Sequence, residues 1–521
     1  VNPRLYTDTL CIARAVDGVE VSGSLRALAE RYSLGVKGTE VTNALGKRRE
    51  DFIPEELSRY GDYCINDVDL TYSLFKTIAP DFPRDEVKLI DLTLRMFIEP
   101  TLDLDLGLLE QHLIETHDHK TKLLEVSGVD KKDLMSNPKF AKLLEGLGVE
   151  PPRKISLTTG KETFAFAKSD EDFKALADHE NPEVQSLMAA RLGNKSTLEE
   201  TRTQRFIDIS KRGLLPVPVK YYAAHTGRWG GDDKINLQNL PSRGPAGKKL
   251  KRSIIAPEGY SLVEADSAQI EARVLAWLAK QEDLVEAFAT GEDVYVKMAS
   301  RIYGVAEEDI TSEQRFVGKT TILGAGYGMG AVRFREQLKN FGTDIAEGEA
   351  RRVINIYREA NGDIYNLWKA AQNTLVYLVS GDALPFGCNN LLTVNLDKTA
   401  LELPSGLLLR YEDLKGAEGE MGMDYHYKTR KGRTRIYGGK VIENVCQALA
   451  RCIIGYQMSE VARRYKVVLT VHDSIVCCVP DGEVAEAQSY VESCMRKVPD
   501  WAVGLPIDCE SGVGKSYGDC K

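Results

Sequence analysis

The sequence predicts an α+β protein built from several packed subdomains. Its 521 residues are more than one hydrophobic core usually serves. Between residues 85 and 205 the chain carries the i, i+3, i+4 apolar spacing of amphipathic helices, as in Leu108-Leu-Glu-Gln-His-Leu-Ile and Phe140-Ala-Lys-Leu-Leu. Later come short apolar strands that deliver an aspartate: Ser261-Leu-Val-Glu-Ala-Asp266, and Val467-Val-Leu-Thr-Val-His-Asp473-Ser-Ile-Val-Cys-Cys-Val.

Composition narrows the class. Apolar residues at 43% and charged residues at 28% are ordinary for a soluble globular chain. No run of 18 apolar residues occurs, so no membrane span is expected. Net charge is −9, which by itself does not suggest a polyanionic partner. The basic residues are nevertheless clustered, at Lys248-Lys-Leu-Lys-Arg252 and Lys428-Thr-Arg-Lys-Gly-Arg-Thr-Arg435, and binding follows the local field. Each cluster reads either as a solvated loop or as a phosphate contact. The ten cysteines are scattered without a Cys-x2-Cys pair, so they are expected to be reduced, mostly buried and cytosolic, without structural zinc. The first residue is Val and no signal-peptide pattern follows, which suggests a chain processed, split or trimmed from something longer.

Taken in order, residues 1–82 mix helix and strand signals and contain Tyr63-Cys-Ile-Asn-Asp67. Ser136-Asn-Pro138 is a helix start, and residues 154–168 read as a polar loop or hairpin. Arg191-Leu-Gly-Asn-Lys-Ser-Thr197 opens a further helix that carries Arg202 and Arg205. The strand from Ser261 ends on Asp266 and passes into a helix near Gln269. A carboxylate at the mouth of a strand suits a hard cation. The second apolar pair of strands places His472-Asp473 at the turn between them. Two aspartates on neighbouring strands could clamp two metal ions ~3.5–4 Å apart, as in-line phosphoryl transfer requires.

Between the aspartates, Arg315, Lys319, Leu323 and Tyr327 recur every four residues and so fall along one side of a helix. Cations, then an apolar residue, then an aromatic one suit a nucleoside triphosphate, phosphates at one end and base at the other. Glycines at 324, 326 and 328 point to backbone that bends or approaches something closely.

These stretches, in this order, resemble the family A DNA polymerases. Asp266-Ser-Ala-Gln-Ile-Glu-Ala-Arg resembles the family's first motif, Arg315-x3-Lys-x3-Leu-x3-Tyr-Gly328 its fingers helix, and Val471-His-Asp473 its third motif. His225-Thr-Gly-Arg228-Trp and Asn236-Leu-Gln238-Asn239-Leu-Pro241 resemble the blocks upstream of the first. The likeness spans roughly residues 85–521 and is greatest to short phage-type members. It implies a right-hand polymerase with an antiparallel palm sheet and helical fingers and thumb. The implied domains are a thumb at 83–215, the palm at 216–285 and 376–521, and fingers at 286–375. Residues 1–82 resemble a partial, RNase H-like 3′–5′ exonuclease domain in which Tyr63 and Asp67 match the last motif. The acidic residues of the family's first two exonuclease motifs do not precede them, so proofreading is not expected. The segment is then a structural remnant, or its missing half comes from another polypeptide.

The resemblance also implies roles. Asp266 and Asp473 would hold two Mg²⁺ ions, with Mn²⁺ a substitute. Arg315 and Lys319 would neutralise the triphosphate, and Lys319 would protonate pyrophosphate. Glu271, Gln269, Leu323, Tyr327 and Gly328 would shape the dNTP pocket, with Glu271 excluding a ribose 2′-hydroxyl. Arg228, Asn236, Gln238, Asn239, Gln447 and His472 would touch DNA, Arg228, Gln238 and Gln447 in the minor groove, where acceptors are nearly alike for all pairs. Two departures stand out: Leu323 where the family has Phe or Tyr, and Ser474 where it has Glu. The first predicts strong discrimination against dideoxynucleotides; the second puts metal affinity or the choice of Mg²⁺ over Mn²⁺ in play.

The function expected is template-directed addition of deoxynucleotides to a primer 3′ end, in phage or viral DNA replication and in the host cytoplasm. Partners would be primer-template DNA and dNTPs, with a helicase, a processivity factor or a separate exonuclease chain as replisome neighbours. The alternatives are a single-subunit RNA polymerase and a catalytically weak DNA-binding accessory subunit. Gly512-Val-Gly-Lys-Ser516 lacks the first glycine of a phosphate-binding loop, since Cys509 stands there, and reads as the last palm strand.

Overall fold

The structure is a computed structural model that describes residues 3–156, 160–167, 170–195, 197–240, 244–381, 391–395, 397, 399–419 and 422–520. Pro241 of the upstream motif and the tip of the 154–168 segment lie outside these.

Its organising element is a four-stranded antiparallel sheet in the order Lys466–Val471, Ser474–Pro480, Tyr260–Ser267, Cys509–Gly514. The strand Tyr260–Ser267 is central and buried on both faces, with Leu262, Val263 and Ala265 as its apolar part and Glu264 and Asp266 sharing one face. Gly512-Val-Gly lies in the last strand, as the sequence suggests. Helices Val484–Met495 and Gly438–Val461 pack with the sheet. The latter is buried along nearly its whole length, including Arg451, whose guanidinium lies 2.7 Å from Glu86 on the helix Arg84–Ile98. That buried pair ties the helices of residues 84–210 to the sheet.

Those helices include Leu106–Ser127, Asn137–Gly146, Pro182–Lys195 and Leu198–Ser210, with a hairpin of Arg153–Ile155 and Glu162–Phe164 at their far end. Ser136 stands at the start of its helix as predicted, with Pro138 in the first turn. The far end has its own apolar cluster, including Phe140, Phe166, Phe173 and Leu187, separate from the main core. Arg191 is buried there. It donates to Leu134 O and Asn137 Oδ1 and lies 4.2 Å over the Phe140 ring, and burial pushes its pKa down to about 10. A second helical lobe runs from Ile270 to Ser380 and includes Val294–Tyr303 and Ser312–Ala325.

Three expectations need correction. Residues 3–82 form helices only, namely Thr9–Asp17, Leu25–Arg31, Val41–Ala44 and Pro54–Ile78 with a short 3-10 turn; no strand occurs among the described residues of this segment. Asp8 and Ser24 cap the first two helices by accepting from Leu10 N and Ala27 N, and Pro54 opens the fourth. Its β-branched residues divide: Ile12, Ile65 and Val68 are taken into these helices, while Val36, 86% exposed, lies in a connecting segment. Second, neither basic cluster is a free loop. Lys249, Lys251 and Arg252 lie in the helix Gly244–Arg252, where Lys249 pairs with Glu115 and Arg252 with Asp519. The second cluster forms the hairpin Gly422–Thr429/Gly432–Ile436, in which Arg433 pairs with Asp413 and Arg435 with Asp424. Third, Tyr327 lies beyond the end of its helix, which stops at Ala325. Eight of the nine described cysteines are buried, Cys64 being the exposed one; Cys388 lies outside the described residues. No described helix is long and apolar enough to cross a membrane.

Candidate active site

Asp266 lies near the end of the central strand. Ser474 pairs with it from one side and Glu510 from the other. Directly opposed residues share a face, so Ser474 occupies the position beside Asp266 where a longer acid would fit. Asp473 is the second residue of the two-residue turn before Ser474, and its carbonyl accepts from Ser267 N at 3.1 Å. The turn therefore hangs against the end of the Asp266 strand, which is how residues 207 positions apart meet.

Burial holds the Asp473 carboxyl above the usual carboxylate range. The negative charge of Asp266 adds to the rise, while Arg228 and His472 oppose it. Two hard oxygen donors whose charges repel each other are a donor set that a divalent cation relieves. Among the described residues no group of three or more His, Cys, Asp or Glu is gathered to hold a metal. A cation here would thus take the two carboxylates plus oxygens from substrate and solvent, the usual pattern for Mg²⁺.

After the strand, Gln269 adopts a left-handed conformation, φ 53°, and starts the helix Ile270–Ala279. Its side chain hydrogen-bonds the Tyr295 hydroxyl. The Tyr295 ring lies 5.4 Å from the Arg315 guanidinium and 5.7 Å from Lys319 Nζ. A short chain of contacts thus links the Asp266 strand to the two cations. It depends on close packing of Val294–Tyr303 against Ser312–Ala325, where Gly318 faces Tyr295 so tightly that a Cβ would stand 2.2 Å from the Tyr295 carbonyl oxygen. Asp293 caps the first helix and also pairs with Arg315, Nε to Oδ2 2.7 Å. Neither Tyr295 nor Asp293 stands out in the sequence; a Glu-Asp pair before a helix start would have flagged the cap alone.

Leu323 is 40% exposed on the same helix as Arg315 and Lys319. Tyr327 follows in a turn, with its hydroxyl buried against Cys446, so its pKa is pushed well above the ordinary value. Gly328, at φ 78°, packs on Gly439 at the start of the Gly438–Val461 helix. The close backbone approach expected at this glycine is present.

The residues expected at DNA divide. Arg228 and Glu271 form an ion pair, at 29% and 24% side-chain exposure. Gln447 accepts from Thr226 Oγ1 at 3.4 Å and is half-buried. Asn239 is exposed, and its carbonyl accepts from Arg202. Asn236 is half-buried and His472 exposed. Gln238 differs: it is 7% exposed, and both atoms of its amide are engaged by the backbone around the Asp473 turn. In the N-terminal segment, Tyr63 and Asp67 lie one turn apart on Pro54–Ile78, and Lys37 donates to both.

Comparison with known proteins identifies the family. Residues 108–375, a little more than half of the chain, match the model of DNA polymerase family A. The DNA polymerase of Bacillus phage SP02 is 25% identical over 98% of this chain and 84% of its own length. DNA polymerase I of Pseudomonas aeruginosa is 29% identical over 67% of this chain, which spans 39% of that longer protein. Among solved structures, the POL domain of Pol1 from M. smegmatis, in complex with DNA primer-template and dNTP, superimposes with a TM-score of 0.70 at 23% identity over 98% of this chain and 82% of its own. The protein belongs to DNA polymerase family A and is a DNA-directed DNA polymerase.

Proposed function

We propose that this polymerase extends a primer 3′ end by phosphoryl transfer at Asp266 and Asp473, with the triphosphate held from the opposite side by Arg315 and Lys319. The observation that carries the assignment is the convergence on one sheet end of two carboxylates from strands distant in sequence, one of them with a raised pKa. Divalent ions bound there would activate the 3′-hydroxyl and hold the leaving group's charge. The chain's own part is to fix the geometry. The strand and turn set the two carboxylates. Gln269 and Tyr295 orient the cationic face of Ser312–Ala325, and Lys319 delivers a proton to pyrophosphate. Glu271, steadied by Arg228, lines the sugar side of the pocket, and Leu323, Tyr327 and Gly328 its base side.

In this reading residues 216–285 and 376–521 form the palm, 286–375 the fingers and 83–215 the thumb. The duplex is positioned by phosphate contacts from the thumb and read by Arg228 and Gln447 in the minor groove. Residues 1–82 serve as a scaffold without proofreading, because the Asp67 carboxylate is neutralised by Lys37. Phage replication is the setting that the phage relative suggests.

The test is primer extension on a recessed template with four dNTPs and Mg²⁺ or Mn²⁺, beside Asp473→Ala, with a mismatched primer incubated without nucleotides. Extension that is lost in the variant supports the site, and an intact mismatched primer supports the scaffold role. Binding of DNA without extension by the wild type would reject the assignment.

A further inference from the structure

Resting on the assignment of Asp473, we infer that Gln238 is a positioning residue that fixes the Asp473 turn, not a reader of the minor groove.

The strand Lys466–Val471 is at the edge of the central sheet, so among the described residues one side of its backbone has no neighbouring strand. Val471 and Ser474 are the last ladder pair, and His472-Asp473 is the turn. Around Val471, the Thr470 carbonyl and the His472 amide therefore point outward, away from the ladder. Gln238 comes from the short turn Leu237–Asn239 and bridges both: Nε2 donates to Thr470 O at 2.7 Å, and Oε1 accepts from His472 N at 2.7 Å. A carbonyl can only accept and an amide N–H can only donate, so the orientation of the Gln238 amide is forced. One side chain thus supplies what a further strand would: a donor and an acceptor at ladder spacing, aimed at the two groups that flank the last residue before the turn.

A second observation shows that the turn needs holding. His472 has φ 52°, in the left-handed region that favours glycine in tight turns. A non-glycine residue persists there only where its surroundings impose the conformation. Inside the turn, Thr470 Oγ1 donates to Ser474 O at 3.0 Å, and on the sheet side Ser267 N donates to Asp473 O at 3.1 Å. Gln238 closes the remaining side. Asp473 is thereby braced from both flanks, while the Gln238 amide is buried, with its orientation fixed by a bond at each end, and only its second N–H and second lone pair are uncommitted.

Gln238→Glu keeps the shape and the acceptor for His472 N but sets an oxygen against the Thr470 carbonyl; Gln238→Met removes both bonds. For each we would measure kcat at saturating primer-template, primer-template Kd by fluorescence anisotropy, and Mn²⁺ binding by electron paramagnetic resonance, with thermal melts as the check on folding. Since a misplacement of about 1 Å at a reacting centre costs on the order of 10²-fold, the expected result is a kcat loss of that order, Mn²⁺ binding weakened several-fold, and primer-template Kd within about twofold of wild type. A tenfold rise in Kd with kcat and Mn²⁺ binding unchanged would make Gln238 a groove contact and overturn the inference. No change in any of the three would also overturn it. Wild-type protein gives an independent arm: the His472 amide, though at the tip of an edge hairpin, should exchange with solvent as slowly as the neighbouring ladder amides, and fast exchange refutes the brace even if both variants misfold. A wild type that neither extends primers nor binds Mn²⁺ removes the underlying assignment; a wild type that does both, beside unaffected variants, removes only this one.

Discussion

Arg315, the first cation of the proposed triphosphate-binding face, is already paired with Asp293, Nε to Oδ2 2.7 Å. Arg315 must therefore leave or share Asp293 when a triphosphate arrives. Asp293 also accepts from Tyr295 N and Val296 N as the cap of its helix. Asn caps as well as Asp, so Asp293→Asn keeps the helix start and removes the competing charge. Both side chains are more than a third exposed, which limits the pair to about 0.2–1 kcal/mol. The expected outcome is a fall in the KM for dNTP of no more than about fivefold with kcat little changed, read by steady-state extension.

Glu271 and Arg228 hold one another, so a change in either reaches both the sugar pocket and Asp473. Glu271→Ala should lower discrimination against ribonucleotides by roughly 10- to 10²-fold, the scale on which a filled pocket rejects one added group. Arg228→Ala acts on a different quantity. The Arg228 charge lowers the Asp473 pKa, so its removal raises that pKa further, and the acid limb of the pH–rate profile should move to higher pH. A profile that stays in place would separate Arg228 from Asp473.

Much of the proposed site's placement was legible in the sequence because its residues sit where local pattern and chemistry coincide. Asp266 follows an apolar strand and precedes a helix; Asp473 sits between two apolar strands; Arg315, Lys319 and Leu323 keep helical spacing. What was hidden depends on pairing across the chain. Gln238 has the composition of a groove reader, and only the fold shows that its amide is taken up by an edge strand 232 residues away. Tyr327 keeps the four-residue spacing but not the helix, because Ala325 ends it and the following backbone packs on Gly438–Val461. Basic clusters reveal charge but not their acidic partners, which lie at Glu115, Asp519, Asp413 and Asp424. The strand signals of residues 1–82 failed because β propensity without a neighbouring strand is only a preference.

Asp473→Asn separates stability from function. The folded protein holds this carboxyl above its ordinary pKa, chiefly by burial. Below the ordinary value of about 3.9 the group is protonated folded and unfolded, and it costs nothing. As pH rises through the raised folded value, ionisation must occur in a buried site and stability falls. Without metal at pH 7–8 the Asn variant should therefore melt higher than wild type, with the gap closing toward pH 4. Extension should drop by at least about 10³-fold, since charge stabilisation by a bound ion is worth several kcal/mol.

Leu323 is 40% exposed on the helix face beyond Lys319, so a larger side chain can enter without displacing core. Leu323→Tyr should narrow the gap between deoxy- and dideoxynucleotide incorporation by about tenfold or more, the ring adding a flat face and a hydroxyl beside the sugar. Unchanged selectivity in single-nucleotide competition would place the sugar elsewhere.

Two glycines in helices, Gly318 and Gly61, make opposite predictions for the same substitution. Replacing a helical glycine with alanine gains about 1 kcal/mol where space is free. At Gly61, in Pro54–Ile78, nothing lies within 4 Å of the new Cβ, so Gly61→Ala should raise the melting temperature and leave extension unchanged. At Gly318 the Cβ would stand 2.2 Å from the Tyr295 carbonyl oxygen and 3.1 Å from Ala299 N. Those are backbone atoms of the adjoining helix and cannot swing aside. Overpacking of this kind costs about 1–3 kcal/mol, which exceeds or cancels the propensity gain. The helix that moves carries Tyr295, whose ring lies beneath Arg315 and Lys319. Gly318→Ala should therefore lower extension through a higher dNTP KM even where the melt changes little. A Gly318→Ala enzyme with wild-type KM would show that the cations do not need the Tyr295 platform.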